Sequence, residues 1–249
     1  MEEPENHLSF ATLRKMLQEI SDKQKDSQII VATHNNMIAS RLNLNNVLWI
    51  TDDGVKSLSK VDEEVAKFFV KADDNAFLQL LLSKKAFLVE GATEFLMLPH
   101  FYKQLTERAI EEDGISVISC NGISYKKYLQ IAKATDKKIA VITDNDKKQE
   151  RIDFATKFNQ ETTLQHIFMA ASMDDWTWEI CMYNANTTVL DRMIKVRAGA
   201  EYLYHGEPYG AVPGKMLNNK VDVAYQMLTS GEVFDIPQYV KDAVEWLNK

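Results

Sequence analysis

Apolar residues along the chain fall into two blocks of alternating helix-like and strand-like spacing, separated by a polar stretch. In the first block Leu13, Met16, Leu17 and Ile20 recur at the helical period. A short apolar strand, Ile29 to Ala32, then runs into Thr33-His34, and "MIASRL" after Asn36 has helical spacing. The run "NNVLWITDDG" predicts another strand, closed by an Asp-Gly turn. Residues 54–85 are polar and charged and predict a connector of one or two helices. From 86 the alternation resumes: strand 86–89, helix 93–108, strand 115–119, helix 124–134 and strand 139–142. Such alternation predicts an α/β fold with a parallel sheet. Beyond about 150 the pattern loosens, with helical spacing in "WTWEICMYNANTTVLDRMI", at 217–229 and at 237–248.

Against this pattern the stretch "AFLVEGATEF", 86–95, stands out, because it sets Glu90 and Glu94 at the mouth of an apolar strand. Gly91 is read as the turn between them. Burying a charge is costly unless it is paired or metal-bound. Some fifty residues later, Asp144 and Asp146 stand at the end of the strand 139–142. Functional groups of parallel α/β sheets gather at the carboxyl ends of the strands. If the two strands are neighbours, Glu90, Asp144 and Asp146 converge, and their mutual repulsion calls for a hard divalent cation held by oxygen. Alternate side chains of an extended Asp-x-Asp segment would point to one side.

Composition adds bounds. Apolar content of 45%, charged content of 26% and a net charge of −7 fit a globular protein without a broadly basic nucleic-acid coat. Clustered metal-binding carboxylates lower the net charge themselves, so a DNA-cutting enzyme stays open. No apolar run is long enough for a membrane span. The two cysteines, Cys120 and Cys181, have no zinc or CxxC spacing, and a reducing cytoplasm is expected.

"LVEGATE" followed by "VITDND" resembles the Toprim domain of topoisomerases, bacterial primases and OLD-family (overcoming lysogenization defect) nucleases. "EEPENHL" resembles the Walker B end and D-loop of an ABC-type ATPase, and "IIVATHN" its switch-histidine strand. The two together resemble OLD-family ATP-dependent endonucleases, relatives of the Gabija-type antiphage nucleases. The resemblance implies a C-terminal remnant of an ATPase domain at 1–53, a helical connector at 54–85, and a Toprim nuclease domain at 86–249 with a helical insertion and C-terminal helices. That Toprim fold is a Rossmann-like parallel sheet flanked by helices.

The resemblance also assigns roles. Glu90, Glu94, Asp144, Asp146 and Glu179 would hold metal, with Glu90 and Lys220 acting in catalysis and Lys215 competing for the lysine's role. Two Mg²⁺ or Mn²⁺ ions would serve hydrolysis of DNA. Glu2, Glu3 and His34 match nucleotide-site residues, but no G-x-x-x-x-G-K-[ST] loop is present. ATP is therefore expected to matter only in a full-length protein. A homo-oligomer and a helicase-like or other defence-system partner are implied, with no membrane association. The alternatives are a catalytically silent regulatory or dimerisation module and another Toprim enzyme, a topoisomerase or primase. Lysines 126, 127, 133, 137, 138, 147 and 148 read as a solvated face before a phosphate track, Trp176, Trp178 and Phe168 as core before base-stacking rings, and His100, His166 and His205 receive no role.

Overall fold

The computed structural model describes residues 1–6, 8–23, 28–33, 35, 38, 46–51, 54–65, 69, 76–120, 124–197 and 199–249. Its elements begin with α1 (Phe10–Lys23), β1 (Leu48–Thr51), β2 (Gly54–Ser57), α2 (Ala76–Leu82), β3 (Lys85–Val89) and α3 (Ala92–Thr106). Next come β4 (Ile115–Ser119), α4 (Tyr125–Ala134), β5 (Lys138–Ile142), α5 (Gln149–Glu161) and β6 (Gln165–Phe168). The chain closes with α6 (Trp178–Ala185), α7 (Thr187–Met193), β7 (Tyr202–Tyr204), β8 (Glu207–Tyr209), α8 (Ala211–Asn218), α9 (Lys220–Thr229) and α10 (Gln238–Asn248). Two compact units result: Met1–Leu82 with Lys126–Asp136, and Ser83–Tyr125 with Lys137–Lys249.

In the first unit, Leu13 and Leu17 of α1 pack with Ile38 in a small core, as their helical spacing predicts. The expected strand at 29–32 contributes one parallel bridge, Glu2 to Ala32. The strand of "NNVLWITDDG" forms, but its partner is β2, antiparallel and in register from Leu48↔Ser57 to Thr51↔Gly54. This corrects the helical reading of 54–57. A polar run after an Asp-Gly turn had no apolar alternation to mark it as a strand, yet Gly54 sits at φ +118, where a hairpin needs glycine. Further along, Phe69 meets Tyr128 edge-on at 5.0 Å.

The second unit is built on a four-stranded sheet in the order β4-β3-β5-β6, parallel throughout. The pairing of β3 with β5 matches Val89 to Ile142, so the residues after each strand emerge side by side. The strand β3 is buried on both faces: Ala86, Phe87, Leu88 and Val89 are at most 1% exposed. That is why its sequence is a continuous apolar run rather than an alternating one. On one face Phe87, Val89, Ala140 and Ile142 join a core with Met97 and Phe101 of α3, Trp178 of α6, and Val240 and Val244 of α10.

Two strand segments depart from the expected pattern. The edge strand β6 was illegible because only Ile167 and Phe168 are apolar in "QHIF". The β7–β8 hairpin was not foreseen either. Its turn, His205 (φ +51) and Gly206 (φ +85), takes the doubly left-handed form that two-residue hairpins prefer.

Candidate functional site

Glu90 follows the last residue of β3, and its Oε2 accepts from the Thr143 hydroxyl at 2.5 Å and the Asp144 amide at 3.2 Å. The two strand ends are thus tied to each other. The chain bends at Glu90 and Gly91 as the sequence suggested, but Gly91 is extended (φ −131, ψ −178), a conformation open to any residue, so the bend does not itself call for glycine. The small size of Gly91 matters instead: a Cβ there would lie 3.0 Å from Glu94 Oε2. Glu94, in the first turn of α3, is 5% exposed.

Asp144 is held by the Thr177 hydroxyl (2.7 Å to Oδ2) and the Trp178 amide (2.9 Å to Oδ1). Glu179, 3% exposed in the first turn of α6, receives the Lys220 ammonium at 2.9 Å and lies within reach of Thr177 and Thr93. The Thr177 hydroxyl carries one hydrogen but sits 2.7 Å from Asp144 and 2.9 Å from Glu179. It donates to only one of them at a time. Burial pushes the Glu94 carboxyl up to about 8, reinforced by the charge of Asp144. Burial likewise pushes Asp144 up to about 7, against the lowering bond from Thr177. Burial opposes the Lys220 charge, but the adjacent Glu179 raises its pKa overall.

Asp146 stands apart. It adopts φ +51, outside the extended region, so the two aspartates do not project alike as the Asp-x-Asp spacing suggested. Asn145, 1% exposed, organises this turn: its Nδ2 donates to the carbonyls of Ala170 and Ser172, and its Oδ1 accepts from the Lys147 amide. Arg151, in the first turn of α5, pairs with Asp146 at 2.8 Å, donates to the Asp144 carbonyl at 2.7 Å, and lies 3.7 Å from Glu90.

The expected helix 217–229 is broken at Asn219 (φ −133), which separates α8 from α9 and sets Lys220 at the first position of α9. Lys215 instead donates to the Lys195 carbonyl at 2.5 Å. Of the two lysines, Lys220 is the one set against a site carboxylate. In the first unit, Glu2 and Glu3 lie beside Ala32, and Glu3 accepts from the Asn6 amide group at 2.7 Å. His34 lies outside the described residues.

Sequence reasoning missed Thr143, Thr177, Asn145 and Arg151. The first three lie inside or beside the quoted acidic motifs, so proximity to those motifs was the available signal. Arg151, in an ordinary amphipathic helix, gave none.

Whether these residues suit a divalent cation can be tested on their own chemistry. The donors are all carboxylate oxygens, the hard set that Mg²⁺ or Mn²⁺ takes. The raised acids Glu94 and Asp144 have the negative-charge crowding that a cation relieves. Among the described residues, no three His, Cys, Asp or Glu side chains are gathered closely enough to hold a metal ion as they stand. The donor set fits in kind, and ligation would require side chains to turn inward.

A parallel sheet with a glutamate ending one central strand and an Asp-x-Asp ending its neighbour defines a Toprim-type α/β unit. Residues 81–146 match the family model described as overcoming lysogenization defect protein-like, TOPRIM domain, and this region is an OLD-like Toprim domain. Among solved structures, the C-terminal region of the Burkholderia pseudomallei OLD protein is similar at 15% identity and a TM-score of 0.43, over 67% of this chain and 97% of that one. The C-terminal region of the Xanthomonas campestris pv. campestris OLD protein is similar at 14% identity and a TM-score of 0.43, over 68% and 94%. No curated protein matches the chain. Among the described residues, no helix is long and apolar enough to cross a membrane.

Proposed function

We propose that the protein is a divalent-metal-dependent DNA nuclease that hydrolyses phosphodiester bonds at the carboxyl ends of β3 and β5. One observation carries this reading. At the carboxyl ends of β3 and β5 in an OLD-like Toprim sheet, Glu90 accepts from the Asp144 amide, the buried Glu94 feels the charges of Asp144 and Glu179, and Lys220 bonds Glu179. Glu90, Glu94, Asp144 and Glu179 would hold Mg²⁺ or Mn²⁺, with Asp146 joining once released from Arg151. The bound metal supplies an activated water and charge stabilisation at the leaving oxygen. Thr143 and Thr177 fix the orientation of the acids. Lys220, close enough to give up one bond to Glu179, offsets charge that builds on the scissile phosphate. DNA is the substrate in this reading, with an antiphage role, a homo-oligomer and a defence-system partner as its wider setting. In this reading residues 1–53 are ATPase-like, 54–85 a connector, and 86–249 the nuclease domain.

A second reading, a regulatory module without catalysis, is favoured by the ion pair that holds Asp146 on Arg151. Incubation with supercoiled DNA and Mn²⁺ or Mg²⁺ separates the two. Nicking by the wild type that is lost in both Glu90→Ala and Asp144→Ala supports the nuclease. Absence of cleavage with every metal supports the module.

A further inference from the structure

Beside the carboxylates lies a second cluster that the hydrolytic reading does not use. Trp176, from the loop before α6, is half-buried against two tyrosines of the β7–β8 hairpin, Tyr204 at 6.0 Å and Tyr209 at 6.1 Å between ring centroids. The sequence pattern predicts Trp176 as core, as Trp178 is; instead its ring is shared with the hairpin and with cations. The Lys147 ammonium lies 5.0 Å from the Trp176 ring and 5.9 Å from that of Tyr209. Lys220 lies 5.8 Å from the Tyr204 ring. An apolar packing cluster has no need of two ammonium groups on its faces. A surface built of aromatic planes and lysines has the chemistry that binds unpaired nucleotides, with rings for bases and cations for phosphates.

Three features make this cluster a fixed platform continuous with the carboxylates. First, the hairpin is seated on α8: a Cβ on Gly214 would lie 2.4 Å from Tyr202 Cβ, so only glycine lets the two approach. Asn218 fastens the same contact by donating to the Leu203 carbonyl at 3.0 Å. Second, the amide of Asp146 donates to the carbonyl of Trp176 at 3.0 Å, which ties the ring to the acidic loop. Third, Lys220 belongs to both places, bonded to Glu179 on one side and facing Tyr204 on the other.

We propose that Trp176, Tyr204 and Tyr209, with Lys147, form a stacking platform for an unpaired nucleobase of the DNA strand whose phosphate lies at Lys220. This rests on the nuclease reading for its substrate. It adds that the substrate strand is unpaired or opened next to the cut.

The test compares wild-type binding of a short fluorescent oligothymidine with that of the same oligomer made abasic, in EDTA. About tenfold tighter binding of the base-bearing oligomer is expected. Tyr204→Leu should remove that preference by weakening the oligothymidine alone, and Tyr204→Phe should retain it. Equal binding of the two oligomers by the wild type overturns the platform, and so does a Tyr204→Leu loss that is the same for both. Nicking of supercoiled DNA in Mn²⁺ is scored separately. Nicking without a base preference sinks the platform and leaves the nuclease standing. A base preference without nicking supports the platform and removes the nuclease.

Discussion

The acids of the site form an inner and an outer set, and the two are managed differently. The inner set, Glu94, Asp144 and Glu179, is screened from water, and Asp144 and Glu179 are fixed by a hydroxyl, an amide and one lysine. The outer pair, Glu90 and Asp146, has side chains 37% and 41% exposed and meets Arg151. Solvent screens the outer charges, so their ion pairs hold little energy. The inner charges lack that screening, and the chain must protonate them or match them with a cation. The inner set is therefore where electrostatic energy is stored, and the exposed Asp146–Arg151 pair is where groups can move at little cost.

The sharpest way to break this contrast is to remove an inner acid. Asp144→Ala is expected to lower metal-dependent DNA cleavage by at least about a hundredfold, read from supercoiled-plasmid nicking. Lys220→Ala should follow in size. It leaves Glu179 without its charged partner and should destabilise the fold by about 2 kcal/mol, measured by urea unfolding. A change no larger than that of Arg151→Ala would erase the distinction between the two sets.

The pH response tests the same point without mutation. The Glu94 and Asp144 carboxyls titrate near 8 and 7 in the folded chain, above the ordinary carboxylate range, so the folded state holds protons that the unfolded state has lost. Their contribution is fully present at pH values below the ordinary range and is lost as pH rises through about 7 to 8. The metal-free melting temperature should therefore fall between pH 6 and pH 8. Mg²⁺ should restore more of it at pH 8 than at pH 6, because ionised acids bind the cation better. A metal-free melting temperature that is flat or rising over this interval would contradict the inner set's placement.

Smallest of all, Arg151→Ala should cost within about 1 kcal/mol, a loss that shrinks further in high salt. It should leave cleavage intact or raise it, since it frees Asp146.

Much of this unit could be read from the residues alone, for identifiable reasons. The strands β3, β4 and β5 are buried and β-rich, so their apolar runs matched the observed bounds to within a residue. Glu90 and Asp144 were legible because a charge ending such a run is conspicuous. The side-chain directions were not. The left-handed turn at Asp146 depends on Asn145 finding the Ala170 and Ser172 carbonyls, which are distant in sequence. The antiparallel partner of β1 and the tyrosine hairpin also escaped notice. Their strands are short, and their apolar content is low or confined to rings that suit a surface as well as a core.

The break at Asn219 has a further consequence. Because α9 starts at Lys220, that ammonium hangs from the joint between two helices, and its bearing is set by how many residues α8 spends before the joint. One residue inserted into α8 would swing the lysine by roughly 100° about the helix axis, and the buried Val223, Ala224 and Met227 of α9 with it. The length of α8 works as a gauge: it meters a positive charge onto the carboxylates through the same joint that seats those residues of α9 in the core.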